Sequence, residues 1–573
     1  MKWLLFVLAF LALQAPAWCL DREAFTFTNY NLDVRIEPDQ QRLGVRGKIT
    51  LRNDSDSPQK NICLQVSSSL NWKSIRSGDK PVEFISQPYT SDIDHTGGLS
   101  EAIVTLPQAV PPDGTATLEV GYEGIVPLDA TRLASLGMKK KIAEHADWDE
   151  IGKSFSAMRG IGYVTWYPVA TEAADLSQGN NVFETIARWK RREEHAILEI
   201  KVHFLRDNSE ELPTLLCSGR ETNQIGEEAD GAHLLSADCS FSPIGLGVPS
   251  LAIGKYSALE RQGIAIYYLP EHKSAAENYA LAAELVSPFV TDWFGTMREK
   301  AQVIELADAE ASPFESGHIL FTSLTTNDST KYELAAVHQL THAAFPSERP
   351  WIYEGLAHFA QAADVETKSG RQAALDFMGP HRAAIAIAEK AVTENHDSNR
   401  AAAESLINTA TEEFYRSKAM YAWWMLRDII GEKALKRSLA GYDPDQDKDP
   451  SYMPRLIEAQ TSRDLEWFFD DWVYRDHGLP DFRVESAYPR KLVGGGYMVT
   501  VTVENLGNVG AEVPLLLRMR SGEVRKRLEV HAKSKASIRI EASSTPEEIT
   551  INDGSVPESD MSNNSYKIVL PAS

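Results

Sequence analysis

From residue 332 to residue 361 the chain reads YELAAVHQLTHAAFPSERPWIYEGLAHFAQ. Its centre is His338-Gln339-Leu340-Thr341-His342. Four helical steps of about 100° nearly close a turn, so His338 and His342 point the same way and can ligate one metal ion. Leu334, Val337 and Thr341 continue a buried face beside them. Pro350-Trp351 then opens a second apolar-spaced segment, which predicts a second helix with Glu354 facing inward. His338, His342 and Glu354 make a two-histidine, one-carboxylate set that suits one zinc ion and leaves a fourth position open. A histidine pair at this spacing is, alone, more often structural. The W-x-x-E-G-x-A helix that follows is what favours metal.

Working outward, the texture is helical from Ser274 to about residue 476; Tyr279, Ala282, Val286 and Phe289 set the spacing of its first stretch. Before residue 257 it is strand-like. Tyr30, Leu32, Val34 and Ile36 alternate with Asn31, Asp33 and Arg35, the period of a half-buried strand, and Val45, Ile49 and Leu51 repeat it after a turn. Lys139 to Lys141 form a basic run that reads as a solvated loop. After about residue 480 strands return, with Tyr497, Val499, Val501 and Val503 alternating with Met498, Thr500 and Thr502. About a hundred residues of this kind predict a small β-sandwich. Asp443, Asp445, Asp447 and Asp449 alternate as in a calcium loop, but Pro454 stands where the closing glutamate is needed, so a solvated acidic loop is the better reading.

The N-terminus reads as a secretory signal: Lys2, an apolar stretch from Leu4 to Leu13 too short to span a bilayer, then Ala15-Pro16-Ala17. The chain is therefore expected to be exported, to a periplasm or outside the cell, with no membrane span. Four divisions follow: signal peptide 1–17, N-terminal β domain 18–256, mainly helical domain 257–478 and C-terminal sandwich 479–573. A net charge of −23 argues against nucleic acid or an anionic membrane as partner. Cys19 lies at the processing site; Cys217 and Cys239 flank what looks like a hairpin, and either a disulfide or two buried thiols fits them.

The motif order resembles that of the aminopeptidase N family of zinc metallopeptidases, in which H-E-x-x-H is followed by a helix reading N-E-G-x-A. Eleven residues separate His342 from Glu354, against the family's usual eighteen, so a connecting loop is shortened. Tyr30 to Asn53 resembles the family's opening hairpin and Gly162 to Pro168 its W-x-P segment. Ala252-Ile253-Gly254 resembles the end of its first domain, and Leu465 to Trp472 followed by Gly478-Leu479-Pro480 the end of its catalytic domain. The resemblance covers most of residues 25 to 485. It implies an α+β multidomain fold: an N-terminal β-saddle, a thermolysin-like mainly helical catalytic domain and an immunoglobulin-like β-sandwich. It also implies a zinc cofactor and a peptide or protein N-terminus as partner.

The departures matter as much. In that family the glutamate between the histidines is the general base on the attacking water, a role worth roughly 10²–10⁴ in rate. Gln339 stands there, and an amide cannot accept that proton at neutral pH. On this reading, Gln339→Glu alone should restore the base. Glu315, in Pro313-Phe314-Glu315-Ser316-Gly317, matches the glutamate that holds a substrate's free amine, or is a solvated loop residue. Tyr415 is the best match to the oxyanion-stabilising tyrosine of Y-x-K-G-A, with a one-residue offset; Tyr421 is the fallback, and core packing is open for both. His358, one turn after Glu354, is either a partner of the ligands or a buried polar residue. The leading expectation is a secreted zinc-binding metallopeptidase homologue with impaired hydrolysis. An active peptidase using another base and a metal-free binding scaffold are its rivals; Glu333 is wrongly phased to be that base.

Overall fold

The structure is a computed structural model. It describes residues 20–67, 69–89, 99–126, 139–146, 149–160, 166–169, 192–206, 213–229, 232–245, 247–311, 313–325, 328–394, 405–409, 411 and 413–570. The expected signal peptide, Cys19 and residues 162–165 of the W-x-P segment lie outside these. The chain forms two compact units, residues 1–255 and 256–573.

Among the described residues, the first unit is built on three sheets. In the largest, eight strands run in the order Arg220–Ala229, Ala232–Phe241, Ile197–Arg206, Phe25–Glu37, Arg42–Asn53, Thr115–Ile125, Leu70–Ser77 and Lys80–Pro81. The period-two residues of Phe25–Glu37 explain its place at the centre. Tyr30, Leu32, Val34 and Ile36 are buried while Asn31, Asp33 and Arg35 are exposed. That strand pairs antiparallel with Arg42–Asn53 and parallel with Ile197–Arg206.

Two local readings need correction. The basic run is no loop: Lys140 opens the short helix α1 (Lys140–Ala146), with the lysine side chains in solvent. The two cysteines do bracket a hairpin, but unevenly, Cys217 before its first strand and Cys239 within its second. The hairpin is Arg220–Ala229 with Ala232–Phe241. Cys217 ends the strand Thr214–Cys217 of a separate four-stranded sheet, while Cys239 lies in the large sheet. They are disulfide-bonded, and the bond staples the two sheets together. Sequence spacing hid this because sheet membership is a long-range property. Cys63 is buried and free.

The second unit opens on a five-stranded sheet ordered Ser257–Arg261, Ile264–Tyr268, Ala301–Glu305, Ile319–Thr322, Phe314–Ser316. Its three inner strands are parallel, and the short edge strand Phe314–Ser316 turns back antiparallel, placing Glu315 opposite Leu320. Helices follow: α2 (Lys273–Phe294) between two of the strands, then α3 (Ser329–Ala344), α4 (Pro350–Ser369), α5 (Arg371–Glu394) and, after a π-helical turn at Glu413–Lys418, α6 (Ala419–Ile430). The closing strands form a three-stranded sheet (Phe482–Lys491, Tyr497–Asn505, Lys535–Ala542) and a four-stranded one (Gly522–Val530, Ala511–Met519, Pro546–Ile551, Ser565–Lys567). The helices and the two closing sheets share one continuous hydrophobic core, from Ile264 through Trp424 to Ile551.

Cys217 and Cys239 close a loop of 22 residues, and such a loop stabilises by about 3 kcal/mol. Mass spectrometry of a non-reduced digest should recover the two cysteine peptides joined, and reduction should lower the denaturant midpoint of the first unit. Free thiols at both positions would remove the pairing.

Candidate metal centre

α3 begins cleanly: the Asp328 carboxylate accepts the backbone N–H of Thr330 at 3.1 Å, and Tyr332, Ala336, Val337, Leu340, Ala343 and Ala344 bury one face. Its helical phase carries His338 and His342 into the interior side by side, with their Nε2 atoms 2.9 Å apart. α4 starts on Pro350, and Gly355 sets how closely it approaches α6. A Cβ there would stand 2.7 Å from the Cβ of Ala419 and 3.1 Å from the Trp423 ring. Glu354, one residue earlier, thereby reaches the histidines: its Oε2 is 3.7 Å from His338 Nε2 and its Oε1 3.7 Å from His342 Nε2.

Glu315 joins them. It is no solvated loop residue: its Oε2 lies 2.9 Å from His338 Nε2 and 3.8 Å from His342 Nε2. One ligand-type atom from each of Glu315, His338, His342 and Glu354 falls within 4.8 Å of all the others. Two imidazoles and two carboxylates are the nitrogen and oxygen donors that zinc takes, so the side chains present fit that ion.

The electrostatics follow from convergence. Burial pushes the His338 imidazole down, but the charge and hydrogen bond of Glu315, with the charge of Glu354, outweigh it and hold the group above the usual histidine range. Burial and then His338 hold His342 well below that range. Burial raises Glu315, yet His338 brings its carboxyl below the usual value.

The surroundings are aromatic. Tyr353 stacks on His342 with ring centroids 3.7 Å apart. His358 lies edge-on to His338 at 4.8 Å, and both its ring nitrogens are buried with no hydrogen-bond partner among the described residues. Sequence spacing placed His358 on the right face; Tyr353 gave no signal of its own.

Tyr415 lies on the π-helical turn. A π turn closes its hydrogen bond one residue later than an α turn, so it accommodates one extra residue. The turn is anchored by Lys418, whose buried ammonium donates to Glu389 at 2.6 Å and to Asp476 at 2.8 Å. The residue it sends to the cluster is Arg416, which the sequence reading missed. Its Nε donates to Glu354 Oε2 at 3.1 Å, and its guanidinium lies 5.9 Å from the Tyr415 ring centroid. Tyr421 is a core residue, buried on α6 with its hydroxyl donating to the Met378 carbonyl at 3.0 Å. Glu333 pairs with Lys368 at 2.7 Å.

Gln339 is buried, and its amide is fully engaged. The Tyr279 hydroxyl donates to Oε1 at 2.8 Å. Nε2 donates to the carbonyl of Gln302 and, at 3.3 Å, to that of His318. A flipped amide would set its oxygen against two carbonyl oxygens, so chemistry fixes this orientation. The site selects an amide here, because a carboxylate has nothing to donate.

No family model matches this chain, and no curated protein matches it. Among solved structures it is similar to an M1 zinc metallopeptidase from Deinococcus radiodurans, with TM-score 0.49 and 15% identity, over 80% of this chain and 95% of that one. A mutant of an M1 zinc metallopeptidase from the same organism, bound to a Tyr-Ser-Ala substrate, gives 0.48 and 14% over 79% and 95%. A mutant two-domain M1 zinc metallopeptidase bound to L-arginine gives 0.46 and 14% over 76% and 91%.

The Gln339 contacts reverse the outcome expected from sequence for Gln339→Glu. At neutral pH the variant places a carboxylate oxygen against the Gln302 and His318 carbonyls and loses both donors. It should lose about 1–3 kcal/mol of stability and gain little hydrolysis. Burial against two carbonyl oxygens should raise the new carboxyl's folded pKa above its unfolded value, so the loss should be smallest in acid and grow as pH rises through the folded pKa. Denaturant midpoints at pH 5 and pH 8 check this. A variant as stable as wild type at pH 8, with hydrolysis raised by roughly 10², would restore the sequence-based expectation.

Proposed function

We propose that this chain is an exported zinc-binding homologue of the aminopeptidase N-type metallopeptidases, with peptide hydrolysis impaired. Its supports are the donor cluster, with His338, His342 and Glu354 as the zinc ligands, and above all the engagement of Gln339. When bound, zinc supplies Lewis acidity toward a carbonyl oxygen and eases deprotonation of water. Hydrolysis further needs a group that takes a proton and returns it to the leaving nitrogen. At the position between the histidines this chain offers an amide whose oxygen is occupied by Tyr279 and whose nitrogen is occupied by two carbonyls. Arg416 holds the Glu354 carboxylate in place, and Tyr353 fixes the ring of His342. Tyr415 is the proposed oxyanion donor.

The N-terminal segment supports export, and the disulfide fits a periplasmic or extracellular compartment. Among the described residues, no helix is long and apolar enough to cross a membrane. The partner class we assign is a peptide or protein N-terminus. Glu315 is the residue proposed to meet its amine, and a ligand must compete with His338 for that carboxylate. A signal peptide (1–17), β-saddle (18–256), thermolysin-like domain (257–478) and immunoglobulin-like sandwich (479–573) remain the proposed divisions, the middle two meeting beside the boundary between the compact units.

One observation favours a second reading, an active peptidase: Glu315 is a carboxylate at the cluster and is the group that would serve as base. Metal analysis and turnover of chromogenic amino-acid amides on one sample separate the readings. We expect about one zinc per chain, most of it lost in His342→Ala, with turnover at least about 10²-fold below that of a peptidase that has its base. Equally little zinc in wild type and His342→Ala would favour the metal-free scaffold. Strong zinc-dependent turnover, abolished by Glu315→Gln, would establish the active enzyme.

A further inference from the structure

We infer that Glu315 is a fourth protein ligand, closing the metal centre as a two-histidine, two-glutamate site with no position left for water or substrate. The inference rests on the proposed zinc ligands His338, His342 and Glu354, and under it Glu315 serves the metal in place of the amine-binding role proposed above. Three independent observations carry it: donor spacing, charge and the orientation of Gln339.

Donors about 2.0–2.2 Å from a tetrahedral zinc stand roughly 3.3–3.6 Å from one another. The separations here are 2.9 Å for His338–His342, 2.9 Å and 3.8 Å from Glu315 Oε2 to the two imidazoles, and 3.7 Å from Glu354 Oε2 to His338 and from its Oε1 to His342. They straddle the tetrahedral edge, and Glu315 sits nearer to His338 than the proposed ligand Glu354 does and about as far from His342. A base or an amine-binding group acts through an intervening molecule and needs that molecule's width between itself and the ligands. An oxygen 2.9 Å from a ligand nitrogen leaves no such gap.

Charge points the same way. The His338 and His342 side chains are 7% and 1% exposed, and those of Glu315 and Glu354 only 24% and 14%. A dication with two neutral imidazoles and one carboxylate is a buried net positive charge, which is costly. A second carboxylate makes the set neutral. Meanwhile Gln339, the residue that would face a substrate water, turns to Tyr279 and to the carbonyls of Gln302 and His318. A closed, neutral, four-ligand set is the arrangement of structural zinc rather than catalytic zinc.

Cobalt(II) substitution in the full-length protein tests this without relying on turnover. Cobalt loaded in place of zinc reports its coordination in the visible spectrum, and azide is the probe for an open position. With four protein ligands the wild-type spectrum should not change on adding azide. Glu315→Ala should create an azide-sensitive spectrum and should weaken zinc, in competition with a chelator, by roughly 10–100-fold or more. Glu315→Gln, which keeps the side-chain volume, controls for collapse, and melting curves of the metal-free proteins control for folding. An azide-sensitive wild-type spectrum overturns the closed site while leaving the metal site standing. Zinc affinity in Glu315→Ala within about twofold of wild type overturns it equally. Failure of wild type to take up either metal would instead remove the metal site itself, and this inference with it. Should neither variant fold, the azide response of wild type decides alone.

Discussion

Two imidazole nitrogens held 2.9 Å apart in a buried space, with two carboxylates turned toward them, strongly favour positive charge among them. Four lone-pair donors that converge repel one another, and in a low-dielectric interior that repulsion is barely screened. The charge must come from a proton or from a metal ion. Without metal the cluster can hold one proton well: against burial the carboxylates lift His338, and burial, then the charged His338, depress His342. A dication answers the same need more completely, since it meets all four donors at once. Arg416 adds a cation on the far side of Glu354, and Lys418 fixes the turn that delivers it. Much of the second unit is arranged to hold this convergence: the capped start of α3, the close contact at Gly355 and the π turn before α6.

What was legible in the sequence was what is local. Two histidines four apart share a helical face by geometry alone, and Glu354 keeps its phase within one predicted helix. The strand periodicity of Tyr30 to Ile36 was readable because alternation is a nearest-neighbour property. What was not legible depends on elements that meet across long separations. Tyr279 reaches Gln339 over 60 residues and Arg416 reaches Glu354 over 62. A hairpin does lie where Cys217 and Cys239 suggested one, but their bond joins different sheets, because Cys217 belongs to the short strand before that hairpin. Glu315 was found by motif position, but its carboxylate direction is set by the short edge strand that pairs Glu315 with Leu320.

Tyr415-Arg416-Ser417-Lys418 lie in a π turn, which is wider by one residue than an α turn. Lys418 is sealed by two carboxylates on either side of it in sequence, Glu389 and Asp476, so its position is over-determined. The neighbouring Arg416 is then aimed at Glu354 rather than at solvent, and the guanidinium's fixed donor geometry suits a carboxylate.

Gln339 completes the argument, because glutamine and glutamate have nearly the same shape and opposite hydrogen-bonding demands. A glutamate in this position wants donors around it. The pocket that Gln339 occupies presents one donor, the Tyr279 hydroxyl, and two acceptors, the carbonyls of Gln302 and His318. An amide satisfies all three at once and leaves no buried polar atom unmet, whereas a carboxylate satisfies one and opposes two. Tyr279 belongs to α2, Gln302 to a parallel strand and His318 to the turn before the next strand, so a single side chain ties α3 to the layers beside it. The amide is therefore part of the fold's bonding, and a carboxylate at residue 339 would need a different pocket around it.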